Sequence, residues 1–236
     1  MIYLRTILFN IIYLAVSLFW SLVLIWVFVL PRKTLVKILQ KTYFLSIAFI
    51  ERYVLGLTYK IEGTEHLPKT GGYIIAAKHQ SAYETLKIPL IINDPAIILK
   101  KELTYIPIWG WYPTGMGHIA IDRGSAKQAL KSIVKGAQRV LHDENRPVLI
   151  FPEGTRTPPG ATPQYKSGIA HIYKATEVPV IPLALNSGVF WGKNSFWKKP
   201  GTVTLKFLPP IPSGLSNKEF MSQLEERIET ASNALL

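Results

Sequence analysis

The sequence predicts an α/β fold, with a mainly parallel or mixed sheet flanked by helices and preceded by an N-terminal membrane helix and an amphipathic interfacial helix. Two observations lead to this prediction. Residues 7–30 carry no charge and are almost wholly apolar. After Gly56, short β-rich apolar runs alternate with helical patterns, as in chains that form an α/β sheet. We therefore divide the chain into membrane-anchoring helices over residues 1–56 and a folded domain over residues 57–236.

The apolar run is long enough to cross a membrane. As a helix, residues 7–30 would be about 36 Å long, against about 30 Å of bilayer hydrocarbon. A secretory signal would be shorter and end at a small-residue cleavage site, whereas Pro31, Arg32 and Lys33 follow here. The basic residues after the run place the downstream chain in the cytoplasm. Ile38–Leu55 mixes apolar and charged residues, which predicts an amphipathic interfacial helix; whether the first helix spans or re-enters the membrane stays open.

Strands and helices alternate through the rest of the chain. The predicted strands are Leu57–Ile61, Tyr73–Ala77, Ala96–Leu99, Val148–Phe151, Val180–Ala184 and Val203–Phe207. The predicted helices are Ser81–Ile92, Ser125–Asp143, Gly168–Thr176 and Asn217–Leu235. The run Val148–Phe151 is continuously apolar, which is typical of a strand covered on both faces.

Composition limits the classes of function. Hydrophobic residues make up 48% of the chain, which excludes a disordered protein. Lys and Arg number 27 against 15 Asp and Glu, a net charge of +12. This excess favours anionic partners such as phospholipid surfaces, phosphorylated substrates, acidic carrier proteins or nucleic acid. The absence of cysteine excludes disulfides, thiolate metal sites and a cysteine nucleophile.

The predicted helix from Ser125 carries a basic row. Lys127, Lys131, Lys135 and Arg139 recur every four residues and therefore share one face. A solvated surface is one interpretation of this row. The other is a docking surface for anionic lipid or an acidic carrier protein.

A histidine and a glutamate follow the predicted strand that ends at Ala77. His79 lies at the carboxyl end of this strand, where open α/β sheets place their ligands. On one helix, His79 and Glu84 would point about 140° apart, so they meet only if His79 lies in the turn and Glu84 in the next helix. A carboxylate bonded to one imidazole nitrogen raises the basicity of the other, which makes a general base. Alternatively, Ser81 and Glu84 form only a helix capping box.

Two further segments offer groups that bind phosphate. The predicted strand ending at Phe151 continues into Pro152-Glu153-Gly154-Thr155-Arg156. A glycine here allows a tight turn with outward N–H groups, and Arg156 can grip phosphate bidentately. Arg123 offers a second cation. Downstream, Val178-Pro179-Val180-Ile181-Pro182 contains two prolines, which predicts a strand end or sheet edge near a cleft.

Together these motifs resemble the glycerophospholipid acyltransferase family, specifically its bacterial 1-acylglycerol-3-phosphate acyltransferases. The resemblance covers about residues 57–210, and FPEGTR is its most specific part. Its four blocks are HQSAYE at 79–84, IDRG at 121–124, FPEGTR at 151–156 and VPVIP at 178–182. Two positions depart from the family pattern: Glu84 replaces the usual aspartate, and Lys78 replaces the common asparagine before the histidine.

The resemblance implies a role for each motif. It implies that His79 is the general base and that Glu84 orients it within an acyltransferase domain over residues 57–236. The groups implied to hold the phosphorylated acceptor are Arg123, Glu153, Gly154, Thr155 and Arg156, with Lys101 near the phosphate. Pro182 is implied to belong to the acyl-binding side.

The predicted reaction moves a fatty acyl group from acyl-CoA or acyl carrier protein to the sn-2 hydroxyl of lysophosphatidic acid. It would occur at the cytoplasmic face of a bacterial inner membrane. Anionic membrane lipid is a further expected partner; no nucleic acid, metal or cofactor is expected. The alternatives are acylation of glycerol 3-phosphate, a lyso-ornithine lipid or another lysophospholipid, and a non-enzymatic basic membrane adaptor.

A few residues keep two interpretations. Ser81 could act as a nucleophile with His79 as its base, but we favour its role as a helix cap and direct attack by the substrate hydroxyl. His118 is predicted to be structural. The cluster Trp109-Trp111-Tyr112 is predicted either at the lipid interface or in the core.

Overall fold

The computed structural model describes residues 2–122 and 124–236. Within these residues, seven strands form one sheet in the order β1-β7-β6-β2-β5-β3-β4. The strands are β1 (Leu57–Glu62), β2 (Ile74–Ala77), β3 (Ala96–Lys100), β4 (Ile119–Ile121), β5 (Val148–Ile150), β6 (Val180–Leu185) and β7 (Gly201–Phe207). Strands β2 to β6 run parallel to one another, whereas β7 is antiparallel to β6 and parallel to β1. The predicted mixed α/β sheet is confirmed, and β4 is the strand that the sequence did not predict.

The helices cover both faces of the sheet. They are α1 (Ile2–Val23), α2 (Arg32–Leu39), α3 (Leu45–Ile50), α4 (Tyr83–Ile91), α5 (Trp111–Gly115), α6 (Ala126–Gln138), α7 (Gly168–Thr176), α8 (Ser187–Phe190) and α9 (Asn217–Asn233). The π-helical turns Gln40–Phe44 and Glu51–Leu55 join α2 and α3 into one helical segment over residues 32–55, and the π-helical turn Arg139–Asp143 extends α6. Short 3-10 turns lie at Ile25–Val29, Thr64–His66 and Lys101–Tyr105.

Alternate residues of the strands feed two apolar clusters, one on each face. Ile75 and Leu183 pack in the first cluster, which contains buried residues of α1, α2, α3 and α4. Ile74 and Val180 pack in the second, which contains buried residues of α6, α7 and α9. The N-terminal helices therefore share a core with the sheet.

Helix α1 lies alongside the α/β domain. Among the described residues it is the helix long and apolar enough to cross a membrane, with 22 residues and a mean hydropathy of 2.0. Near its start, Thr6 donates to the carbonyl oxygen of Lys198 at 3.1 Å. Near its end, the Tyr112 hydroxyl donates to the carbonyl oxygen of Ser21 at 2.7 Å. These contacts are about 22 Å apart along the helix, so most of α1 is held against the domain while its outer face is exposed.

The helical segment over residues 32–55 begins before the predicted Ile38. Its inward face includes buried Ile47. Its outward face combines Lys41 with the exposed apolar side chains of Leu45 and Phe49. A surface of this kind suits the boundary between lipid and water better than water alone.

The prediction of a strand end or sheet edge at residues 178–182 is confirmed at Pro179, which directly precedes β6, and is wrong at Pro182. Pro182 lies inside β6, between β7 and β2, and is the register partner of Ala76. The Pro182 carbonyl oxygen accepts from the N–H of Leu208, so the nitrogen that lacks a hydrogen faces the same side of β6. On that side the ladder from β6 to β7 ends and the chain continues through Pro209 and Pro210. A central strand tolerates proline here because the facing segment is itself irregular.

Candidate active site

The site lies at the carboxyl ends of the parallel strands. Strand β2 ends at Ala77 and α4 begins at Tyr83, so residues 78–82 form the predicted turn. His79 Nδ1 lies 2.8 Å from Glu84 Oε1. The Glu84 side chain is fully buried, and the His79 side chain is 13% exposed. The structure thus brings the two residues together across a strand–turn–helix junction.

The Glu84 carboxylate is fixed by several donors. Its Oε1 accepts from the N–H groups of Gln80 at 2.8 Å and Ser81 at 2.7 Å, and its Oε2 accepts from the Ser187 hydroxyl at 2.7 Å. Because both oxygens of the Glu84 carboxylate act as acceptors, His79 must present Nδ1–H to it as a further donor. The lone pair of the neutral imidazole is then on Nε2. Glu84 therefore orders the turn before α4 and orients His79 at the same time.

The loop after β5 holds His79 from the other side. The His79 N–H donates to Glu153 Oε1 at 2.7 Å, and the His79 carbonyl oxygen accepts from the N–H of Thr157 at 2.8 Å. The imidazole stacks on the Phe151 ring, with 4.0 Å between ring centroids and 20° between planes. These contacts fix the backbone and the ring plane of His79.

Glu153 lies in the interior under this loop. Its side chain is 1% exposed, and burial raises the pKa of its carboxyl. Lys78 Nζ lies 3.6 Å from Glu153 Oε1 and 2.8 Å from both carboxylate oxygens of Glu229 in α9. The Tyr165 hydroxyl also donates to Glu229, at 2.8 Å. The structure therefore adds Lys78, Tyr165 and Glu229 to the neighbourhood of His79; the unusual lysine was the one sequence signal for this cluster.

The remaining residues of the FPEGTR block lie at the surface of the same loop. Gly154 has φ +66°, and its N–H donates to the carbonyl oxygen of Phe151, which closes a tight turn. The tight turn is as predicted, but this N–H points into the loop and not outward. Thr155 is exposed, and its hydroxyl oxygen accepts from Lys193 Nζ at 3.4 Å. Arg156 is half-buried and forms no ion pair with acidic side chains in the described part of the chain. Strand β5 neighbours β2 at about 4.8 Å, so the loop that carries Arg156 begins close to the turn that carries His79.

Lys101 meets the IDRG block at the ends of β3 and β4. Its Nζ lies 3.1 Å from Asp122 Oδ2, and Asp122 Oδ1 accepts from the N–H of Gly124 at 3.0 Å. The Gly124 hydrogen bond and the Lys101 ammonium lower the pKa of Asp122. Strands β3 and β4 are two and three strand spacings from β2, about 10 and 14 Å. Arg123 lies outside the described residues.

A cavity of about 340 Å³ adjoins this second group. Its polar lining comprises Lys101, Thr104, Thr114, His118, Asp122 and Ser132. His118 is a structural residue here: its Nδ1 accepts from the N–H of Ile97 at 3.3 Å, and burial lowers its pKa to about 3. Pro182 is buried in β6 and shares the sheet face of Val180, under the second apolar cluster rather than beneath α1.

Comparison with known proteins identifies the family. A family model described as Acyltransferase matches residues 58–186, which is more than half of the chain. The chain belongs to the acyltransferase family. A 1-acyl-sn-glycerol-3-phosphate acyltransferase from Pseudomonas aeruginosa is 30% identical over 226 residues, covering 95% of this chain and 87% of that protein. One from Limnanthes douglasii is 32% identical over 67% of this chain and 56% of its own length.

The fold of the acyltransferase also matches a solved structure. The crystal structure of the 1-acyl-sn-glycerophosphate acyltransferase from Thermotoga maritima superposes with a TM-score of 0.81 at 24% identity, over 100% of this chain and 98% of that one. Family membership makes the chain an enzyme and rules out the non-enzymatic adaptor. With the apolar helix α1, it identifies a membrane-associated acyltransferase.

Proposed function

We propose that this acyltransferase moves a fatty acyl group from a thioester to the sn-2 hydroxyl of 1-acylglycerol 3-phosphate. The observation that carries the proposal is the pairing of His79 Nδ1 with the buried Glu84 carboxylate at 2.8 Å. The pair lies at the carboxyl ends of the parallel strands, where the loops that carry Arg156 and Lys101 also begin. The relatives from Pseudomonas aeruginosa and Limnanthes douglasii are named for the same reaction.

The first chemical step uses His79 Nε2 as the base. The sn-2 hydroxyl donates its proton to Nε2 as its oxygen attacks the carbonyl carbon of the thioester. The imidazolium that forms is stabilised by the Glu84 carboxylate at Nδ1. Stacking on Phe151 and the two backbone hydrogen bonds of His79 keep the ring in place, so little reorganisation is needed when the substrate arrives.

The second step breaks the carbon–sulfur bond. The tetrahedral intermediate expels the thiolate, which takes the proton from Nε2, and the new ester bond gives phosphatidic acid. The reaction balances with acyl-CoA or acyl carrier protein as the donor and with no cofactor. Direct attack leaves Ser81 without a chemical role, in agreement with its hydroxyl accepting from the N–H of Tyr83 at 3.1 Å.

Cations supply the binding site for the acceptor phosphate. Arg156 follows β5, the strand next to β2, and its guanidinium forms no ion pair with an acidic side chain in the described part of the chain. Lys101, with Asp122 beside it, borders the neighbouring cavity. Arg123 completes the proposed set from the sequence resemblance. An acceptor held by Arg156 would place its glycerol hydroxyl beside the imidazole.

Helix α1 and the outward face of residues 32–55 would hold the enzyme in the leaflet that contains its lipid substrate. The basic residues after α1, including Lys33 and Lys37, support a location at the cytoplasmic face of a bacterial inner membrane. Phosphatidic acid would then be released into the same leaflet.

An acceptor and donor panel tests the proposal. Purified enzyme is given labelled acyl-CoA or acyl carrier protein with lysophosphatidic acid, glycerol 3-phosphate, lyso-ornithine lipid or other lysophospholipids, and the products are identified by mass spectrometry. We expect labelled phosphatidic acid, its loss in His79→Ala, and normal rates in the control His142→Ala, whose side chain is exposed. Transfer to a different acceptor alone would refute the assigned substrate, and an active His79→Ala enzyme would refute the base.

A further inference from the structure

A second apolar surface lies next to the predicted phosphate site. We name residues 103–111 the aromatic loop. Its large exposed side chains are Leu103, Tyr105, Ile106, Trp109 and Trp111, with exposed fractions from 39% for Trp109 to 66% for Tyr105. We propose that the aromatic loop inserts into the lipid leaflet beside α1 and so holds the phosphate-binding end of the sheet at the depth of the lipid head groups.

The composition of the loop fits a lipid interface. Within nine residues it exposes two tryptophans, one tyrosine and two aliphatic side chains. Soluble surfaces rarely gather such residues in one patch. Tryptophan and tyrosine concentrate where hydrocarbon meets head groups, because their rings are apolar and their N–H or O–H groups can remain hydrated.

The loop is continuous with the apolar surface of the N-terminal helices. The Phe28 ring lies 4.9 Å from the Tyr112 ring and 6.4 Å from the Trp111 ring. Exposed Trp26 and Val29 flank Phe28 in the chain, and Val29 is 84% exposed. A leaflet that receives the end of α1 therefore meets the aromatic loop as well.

The loop is packed firmly at its base. A Cβ on Gly110 would lie 2.6 Å from the carbonyl oxygen of Leu103, and a Cβ on Gly115 would lie 2.9 Å from the Phe28 ring. The N–H of Gly110 donates to the carbonyl oxygen of Ile106 at 2.8 Å. Only glycine permits these close approaches. The apolar side chains are thus presented on a preformed support.

Cations outnumber acids beside this apolar patch. Lys100 and Lys101 precede the loop, with the exposed Glu102 between them and Leu103, and Lys33 and Lys37 are exposed on α2. Such residues attract anionic head groups to the rim of an inserted patch. An apolar centre with a basic rim fits a phospholipid leaflet, whereas a second copy of this basic chain would bring like charges together.

A single-cysteine experiment tests the insertion without measuring acyl transfer. The chain has no cysteine, so Tyr105→Cys, Trp109→Cys and the control Lys135→Cys each accept one environment-sensitive dye. Lys135 is exposed on α6, on the sheet face opposite α1. In phosphatidylglycerol-containing vesicles, lipid-borne nitroxide near the head group should quench the dye at positions 105 and 109 and protect it from aqueous iodide. The dye at position 135 should show the opposite behaviour.

Dye in the loop that stays accessible to iodide in vesicles would overturn the proposal. So would dye in detergent that becomes protected from iodide only as the protein concentration rises, because another copy of the chain would then cover the loop. As a second measurement, the double variant Trp109→Ser/Trp111→Ser should raise KM for long-chain lysolipid in vesicles about tenfold, as expected when apolar burial is reduced. Its rate with a water-soluble short-chain acceptor should be unchanged. Because the fluorescence needs no reaction, it can fail while the proposed function stands.

Discussion

Replacing Lys78 tests whether the buried charge cluster supports the catalytic turn. Its ammonium lies 2.8 Å from both oxygens of Glu229 and 3.6 Å from Glu153, and its side chain is 2% exposed. Lys78→Met leaves two carboxylates without this cation. Removing one partner of a buried ion pair destabilises a protein by about 3–5 kcal/mol, and we expect a loss of this size.

Denaturant unfolding in detergent, followed by tryptophan fluorescence, measures the effect. The double variant Lys78→Met/Glu229→Gln should recover much of the lost stability, because a buried pair replaced on both sides is often nearly neutral. The control Lys60→Met removes an exposed partner of Glu62 and should unfold like the wild type. At temperatures where all variants are folded, Lys78→Met should also lower kcat more than it changes KM, because Glu153 holds the N–H of His79.

Wild-type stability in Lys78→Met would refute this reasoning. A double variant that loses as much stability as the two single variants combined would also refute it, since coupled residues must deviate from additivity. Additive losses in the double variant would also show that α9 does not support His79 through Glu229.

Three further changes probe the site and its surroundings. Glu84→Gln should lower kcat by about 100-fold or more, because the acceptor that orients the His79 imidazole is weakened; Glu226→Gln, on the exposed surface of α9, is its control in the same transfer assay. Arg156→Ala should raise KM for the phosphorylated acceptor at least about tenfold, the size of one charge-assisted hydrogen bond, without affecting a dephosphorylated acceptor. Burial lowers the pKa of His118 from 6.5 to about 3. As the pH falls below 6.5, the unfolded state binds a proton at this histidine and the folded state does not. The stability that is present above pH 6.5 is therefore lost as the pH falls. From about pH 7.5 to pH 5, the wild type should lose about 2 kcal/mol more unfolding free energy than His118→Gln.

Each of these predictions has a contradicting result. Unchanged kcat in Glu84→Gln would leave the carboxylate with its capping role alone. If Arg156→Ala lost the same activity on the phosphorylated and the dephosphorylated acceptor, Arg156 would not be the residue that binds the phosphate. Identical pH dependence of unfolding in wild type and His118→Gln would mean that the partly buried His118 imidazole does not control acid stability.

Local sequence signals predicted most of the sheet and the core of the site. The predicted strands reappear as β1, β2, β3, β5, β6 and β7. Continuous apolar runs marked the buried strands β2, β5 and β6, and alternation of apolar and polar residues marked β1 and β7. The pairing of His79 and Glu84 could be derived from a strand–turn–helix pattern over five positions. Strand β4 was not predicted, because it has three residues and only one of them is buried.

Contacts between distant parts of the chain could not be predicted. Lys78 and Glu229 are 151 positions apart, and no periodicity joins them. The lateral packing of α1 left one signal: Asn10, in the apolar run, accepts from Lys198 Nζ at 2.7 Å. The central position of Pro182 could not be predicted, because proline by itself favours a sheet edge, whereas the facing segment determines whether a missing N–H matters.

The tautomer of His79 tests the central claim most directly. Nitrogen-15 NMR of histidine-labelled enzyme in detergent, with the His79 signals assigned by their loss in His79→Ala, reports which ring nitrogen carries the proton. In the neutral imidazole we predict Nδ1–H bonded to Glu84 and an unprotonated Nε2 that shifts when acceptor lipid is added. A neutral ring protonated at Nε2 would contradict the proposed base, because no lone pair would then face the substrate hydroxyl.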